Sequence, residues 1–195
     1  MRQPLSLVLL LPLAVLPAAG CGGSMKATRF SNPNFDFSFV ERVAVIPFDN
    51  QTNDRQSGLR ATRLTITELL ASGAIDVVEP GEVLAALTGI TGFQAGRAVS
   101  PSTEQIVSLG QALGVQALVM GTVTQSENLR SGSVPIPVVT LDLRMVETET
   151  GATVWAATHS EKGGSLSAKV LGTGGEPLAE TTRKCVQEAL ATLVE

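Results

Sequence analysis

One histidine, two cysteines and no tyrosine leave this 195-residue chain few routes to covalent or metal chemistry. A metal site built on several His or Cys ligands lacks the ligands. A Ser-His-Asp or Cys-His set would have to be built on His159. No G-x-S-x-G, H-E-x-x-H, P-loop or G-x-G-x-x-G string occurs. Asp49 and Asp54 bracket a polar loop that could attract a cation. Their spacing lacks the Asp-x-Asp-x-Asp-Gly order of calcium loops, which favours a solvated loop. His159 sits between Thr158 and Ser160 on an expected strand, either as a pH-sensitive group or, more simply, as a half-exposed strand residue. Cys185 falls on the apolar stripe of an expected helix with only Lys184 near it, so a buried structural thiol is favoured over a reactive one. These residue types argue against an enzyme, and no catalytic residue, cofactor or metal is expected.

Cys21 stands apart. Arg2 precedes an apolar run from Leu5 to Leu16, too short for the roughly 20 helical residues that span a bilayer. A cationic start, a short apolar core and the small residues Ala18, Ala19 and Gly20 make a secretory signal over residues 1–20. Small residues ending directly at a cysteine resemble the lipobox of bacterial lipoproteins, in which that cysteine carries diacylglycerol and becomes the mature N-terminus. The resemblance implies lipidation of Cys21 and a stable membrane anchor, since several acyl chains hold where one is marginal. The aliphatic residue usual three before the cysteine is Ala18 here, which leaves a plain signal peptide as the alternative. Residues 21–34 read as a polar tether. Gly22 after the cysteine, by resemblance to enteric lipoproteins, implies the outer membrane, with the domain facing the periplasm.

Without residues 1–20, whose only charge is Arg2, the chain keeps 13 Lys+Arg against 18 Asp+Glu, a net charge of −5. There is no basic run, so nucleic acid is not an expected partner. With Cys21 acylated, Cys185 has no disulfide partner, and the domain depends on its core alone.

The elements that would position these groups follow from periodicity. Phe35, Phe37 and Phe39 alternate with polar residues, as in a half-buried strand. Val43–Phe48 is an apolar run suited to a buried central strand, with Pro47 at its rim. A helix is expected over 59–72, with Leu59, Ile66, Leu69 and Leu70 facing inward and Gly73 as its stop. A brief strand, 75–79, leads to a helix opened by Pro80 and running to about Thr88. Residues 89–99 look irregular. A helix capped at Ser100–Ser102 buries Ile106, Leu109 and Leu113 and ends at Gly114. Strands are expected at 115–126, 138–147 and 152–160, the last two joined by a Thr148–Gly151 turn. Residues 161–176 are glycine-rich. The final helix, from about Pro177 to Val194, aligns Leu178, Thr182, Cys185, Ala189 and Leu193. The order β-α-β-α-α-β-β-β-α predicts an α/β fold, a single domain over 35–195 with a mixed β-sheet flanked by helices.

The strings VERVAVIPFDNQT, LGVQALVMGTVT and VTLDLRMVETETGATVWA, in this order, resemble the superfamily of the curli-secretion channel lipoprotein (CsgG-like). That superfamily includes the lipoprotein activator of penicillin-binding proteins and is similar in fold to the N-terminal domain of the Tol-system β-propeller protein. The resemblance covers roughly 41–160 and the last helix. It implies an envelope location and either a tethered domain that docks on an enzyme or a subunit of a ring whose hairpins cross the membrane. A spanning hairpin needs two strands of about 9–11 residues with alternating apolar positions. Residues 126–137 look too short and carry Pro135 and Pro137, while 161–176 offers only LSAKVL. The expectation is therefore the soluble domain without pore segments.

The expected function is a non-catalytic accessory or scaffold lipoprotein that binds another cell-envelope protein, in the manner of the penicillin-binding-protein activators. The alternatives are a homo-oligomeric subunit of a curli-type secretion complex and a carrier of a small ligand or lipid. Candidate partner-binding residues are Phe35, Phe37, Phe39, Phe93 and Trp155. The Phe cluster could pack on the domain or present an aromatic edge. Trp155 could anchor a partner or fill the core against the last helix. Phe93 lies in the glycine-rich stretch 89–98, which with 161–176 could form a binding surface.

Overall fold

The computed structural model describes residues 27–94, 96–131, 134–164 and 176–193. Cys21, the signal segment and most of the 161–176 stretch lie outside the described residues. The strands are β1 (Thr28–Ser31), β2 (Arg42–Val45), β3 (Asp49–Asn50), β4 (Asp76–Val77), β5 (Ala117–Ser131), β6 (Val134–Glu147) and β7 (Thr153–Lys162). The helices are α1 (Ser57–Ser72), α2 (Pro80–Thr91), α3 (Thr103–Leu113) and α4 (Leu178–Ala191). From β2 to α4 this is the α/β order expected from periodicity, with the two-residue β3 added.

The sheet runs β1-β7-β6-β5-β2-β4, and β3 also pairs with β5. It is mixed: β2 is parallel to β4 and β5, while β5-β6, β6-β7 and β7-β1 are antiparallel. The β2 run is buried on both faces, which explains its unbroken apolar sequence. Val43 and Val45 join one cluster with Leu69, Cys185 and Val186, beneath α1 and α4. Ala44 and Ile46 join the other with Val83, Leu87, Ile106 and Leu109, beneath α2 and α3. The Ile46 amide donates to Val119 O of β5 at 2.9 Å; Pro47 then has no donor to give, and pairing with β5 resumes at β3, beside which the Gln51 amide donates to Val123 O at 3.0 Å. Val139, Leu141, Leu143 and Met145 are buried in alternation with Thr140, Asp142 and Arg144, as their period of two requires.

Local signals set the helix ends. Ser102 and Gln105 form a reciprocal capping box on α3. Pro80 opens α2, and Gly73, Gly92 and Gly114 close α1, α2 and α3 with left-handed φ. Gly110 is required by packing. A Cβ there would overlap Thr148 Cβ, where α3 crosses the β6-β7 turn. Gly110→Ala is expected to cost about 1–3 kcal/mol as α3 is forced off the turn, read as a lower urea midpoint with an unchanged slope.

Several expectations are corrected. Residues 28–31, assigned to the tether, form β1 on the edge of β7, with Thr28 opposite Thr158 and Ser31 opposite Trp155. Phe37–Phe39 is a single 3-10 turn rather than a strand, because the Asp36 carboxylate accepts from the Ser38 amide at 2.9 Å and curls the chain. Along α1 the buried positions are Ser57, Gly58, Ala61, Thr62, Thr65 and Leu69, whereas Leu59 and Leu70 are exposed. Small residues let α1 sit close to the sheet, so its inner face is not its most hydrophobic one. Helix α2 continues through Gly89 to Thr91.

The largest correction concerns residues 126–137. They do not interrupt the strands; they extend them, with paired rungs from Ser126↔Val139 to Ser131↔Val134. Prolines are tolerated here by parity. The Pro137 carbonyl accepts from the Gly163 amide at 2.8 Å, on the side away from β5. Its nitrogen faces the same way, and so does that of Pro135 two residues along, so no bond to β5 is lost.

Candidate functional site: an acidic groove beside Phe39

The aromatic run is divided by its turn. Phe35 and Phe37 meet edge to face, ring centroids 5.0 Å apart, and both pack partly buried on the cluster beneath α1 and α4. Phe39 points outward at 71% exposure. Phe35 and Phe39 line one wall of an open groove of about 1090 Å³. The other wall is the end of α3, through Val107, Gly110 and Gln111, and the floor is the start of β5 with the β6-β7 turn. That floor is fixed: the Thr148 hydroxyl donates to Val115 O at 2.7 Å, and its amide to Gln116 O at 3.0 Å.

The charged groups lining the groove are Asp36, Glu41, Glu147 and Glu149, with no lysine or arginine among them. Hydrogen bonding from Ser38 lowers the Asp36 pKa from its ordinary value. A smaller hollow of about 420 Å³ adjoins it, sharing Glu41, Gly114 and Gln116, bordered by the exposed Leu70 and carrying Arg42 and Asp76 as well, so the uniform negative charge belongs to the larger groove. The whole region occupies the end of the sheet where β5 begins and β6 finishes. The arrangement can hold a peptide that brings cationic and apolar groups together.

The other candidates lie elsewhere. Phe93 is partly buried against the cluster under α2 and α3. Trp155 is 1% exposed, with Nε1 donating to Thr192 Oγ1 at 3.2 Å, so it is a core residue under α4 and no outside contact reaches it. His159, expected to be half-exposed, is 2% exposed; Nε2 lies 3.2 Å from Glu161 Oε2, and Nδ1 has no partner. Its parity puts it on the face covered by α4. Asp54 is tied to Arg60 and lies 3.3 Å from the Ser126 hydroxyl. Burial works against its charge, but the bonds from Arg60 and the Gln56 amide outweigh it and lower the Asp54 pKa. The loop is thus an internally bonded turn. Among the described residues no group of three His, Cys, Asp or Glu side chains could hold a metal ion.

Cys185 is fully buried, its Sγ 3.4 Å from His159 O and 3.5 Å from Val139 O. Burial first, then the Glu161 charge, pushes its thiol up to about 12. Native protein at pH 8 is therefore expected to react with a thiol reagent only as fast as it unfolds. Mass spectrometry with and without urea checks this, and fast native labelling would mean that the α4 packing is wrong.

Sequence reasoning found Phe35 and Phe39 but missed the acid rim. Its signal was present in Glu147 and Glu149 around the turn. What could not be read was that the turn lies beside residues 34–41, more than a hundred positions away.

Solved structures share this fold. The PelC dodecamer from Paraburkholderia phytofirmans aligns with 86% of this chain and 95% of its own, at 19% identity and TM-score 0.59. Lipoprotein GNA1162 from Neisseria meningitidis aligns over 78% and 99%, at 18% identity and TM-score 0.55. The hypothetical protein CT253 from Chlamydia trachomatis aligns over 79% and 95%, at 12% identity and TM-score 0.52. No curated protein matches the sequence. Residues 37–195 match the family described as curli production assembly/transport component CsgG, and this chain belongs to that family.

Proposed function

We propose that this chain is a lipid-anchored, non-catalytic component of a cell-envelope assembly or transport machine, which binds another envelope protein through the acidic groove. One observation carries the reading: an exposed phenylalanine stands on a groove whose charged lining groups are all carboxylates. An exposed aromatic next to a rigid concave wall is the usual form of a binding anchor. Uniform negative charge selects a partner segment containing Lys or Arg and repels acidic ones. Membership of a family described as a curli production assembly/transport component supports that setting. Acylation of Cys21 would supply the anchor, and the outer membrane, facing the periplasm, is the location proposed.

The test is a pull-down of the lipidated protein from its own membranes, beside a Cys21→Ala control. Support requires an envelope protein that is recovered with the anchored form and released by moderate salt, as an electrostatic groove demands. A hydrolase or transferase activity of the purified domain, abolished by one point change, would overturn the non-catalytic reading.

A second reading has its own motivation. PelC, which aligns over nearly its whole length, is a dodecamer. Self-assembly of this chain would appear in analytical ultracentrifugation as one stable species of ring size. A monomer at micromolar concentration removes that reading and leaves the first intact.

A further inference from the structure

Strand β1 shortens the tether, and its N-terminal end has a defined direction. Only six residues lie between Cys21 and Thr28, which is already in the sheet, so the two are seven backbone steps apart. Fully extended, these steps reach at most roughly 25 Å. Since β1 is antiparallel to β7, the N-terminal end of β1 points in the direction in which β7 runs from Thr158 to Lys162. The β5-β6 hairpin projects in that same direction. Thr28 lies opposite Thr158, and Thr158 opposite Asp142. From Asp142 the hairpin continues eight residues to Val134, about 26 Å at strand rise. The N-terminal end of β1 and the hairpin thus point the same way, and the length of chain between Cys21 and Thr28 nearly matches the hairpin's reach.

The projecting end is built for a surface rather than for water. Among the described residues the last flanking contact from the β7 side is the Gly163 amide on Pro137 O, so the paired rungs from Leu129↔Ile136 to Ser131↔Val134 have no β7 partner there, and a two-stranded ribbon is marginal in water. Leu129, 42% exposed, pairs across the strands with Ile136, and Pro135 and Arg130 form the adjoining exposed rung. An apolar pair with a guanidinium beside it suits the boundary between acyl chains and phosphate headgroups. Glu127, Asn128 and Arg130 are all exposed on the same ribbon, so it lacks the apolar band of a spanning strand.

We propose that the end of the β5-β6 hairpin, through Leu129, Ile136 and Arg130, rests on the lipid surface that holds the Cys21 anchor. The inference rests on acylation of Cys21. It orients the domain with the hairpin toward the bilayer and the acidic groove at the far end of the sheet.

The test uses the full lipidated chain in phosphatidylethanolamine/phosphatidylglycerol vesicles. Leu129→Cys carries an environment-sensitive fluorophore, and Glu149→Cys carries the same label at the groove; Cys185 is too deeply buried to compete. Headgroup-level spin-labelled lipid is expected to quench the label at 129 by about twofold or more and to leave the one at 149 unchanged. Flotation with the vesicles and equal quenching at both positions would overturn the hairpin contact while leaving the anchor standing. Failure to float would remove both, with the mature N-terminus checked by mass spectrometry. A blue shift at 129 that grows with protein concentration but ignores the quencher would assign the hairpin to a second copy and also overturn the proposal.

Discussion

Trp155→Ala is expected to destabilise the domain by about 3–5 kcal/mol, the cost of emptying a buried aromatic site. The ring is 1% exposed, lies opposite Met145 on β6 and sits beneath α4. Its Nε1 bond to Thr192 fastens the end of that helix. Removal leaves a cavity bounded by strands on one side, which cannot collapse, and by α4 on the other. Total stability for such domains is about 5–15 kcal/mol, so the loss is a large fraction of it. Trp155→Phe keeps most of the packing and gives up the Thr192 bond, so a smaller cost of about 1–2 kcal/mol is expected. Urea titrations followed by circular dichroism would read both. A loss below about 1 kcal/mol for the alanine variant would show that α4 does not depend on this contact.

Two features differ in how far local sequence could decide them: Trp155, left open between a partner anchor and the core against the last helix, and residues 126–137, expected to interrupt the strands. The strand carrying Trp155 is legible: Val154, Trp155, Ala157 and His159 are buried around exposed or half-buried neighbours. A strand's period gives its two faces but not which one a helix will cover, and that depends on a pairing with α4 distant in the sequence. Pro135 and Pro137 are ordinary strand breakers because proline cannot donate. Their effect depends on which way each nitrogen points, and that is fixed by register with β5, which no local pattern shows. Features set by adjacent residues were legible: the Pro80 start, the Gly114 stop, the 148–151 turn, and a cap within Ser100–Ser102 that the structure places at Ser102. Half of the groove was legible for the same reason. Phe39 stands out because it belongs to a dense local cluster. Asp36 and Glu41 flank it in the same segment, whereas Glu147 and Glu149 come from the β6-β7 turn and gain meaning only when the fold brings that turn beside it.

That gathering gives the groove its most direct test. Phe39→Ala is expected to weaken partner binding by about thirtyfold, the ~2 kcal/mol of a central aromatic anchor, and to leave stability within about 0.5 kcal/mol of the parent because the ring is mostly exposed. Glu149→Lys should act differently. It places a cation among three remaining carboxylates, so it should slow association with a basic partner, and the deficit should shrink as salt rises. Surface plasmon resonance at low and high ionic strength, using the partner recovered from membranes, separates the two effects. If both variants bind like the parent at either salt concentration, the groove is not the docking site. A loss in Phe39→Ala that salt does not change, with Glu149→Lys silent, would keep the aromatic anchor and remove the charge selection. In the expected result the two residues contribute separately because their physics differs: the phenylalanine holds the partner once it is seated, and the carboxylates decide which chains arrive.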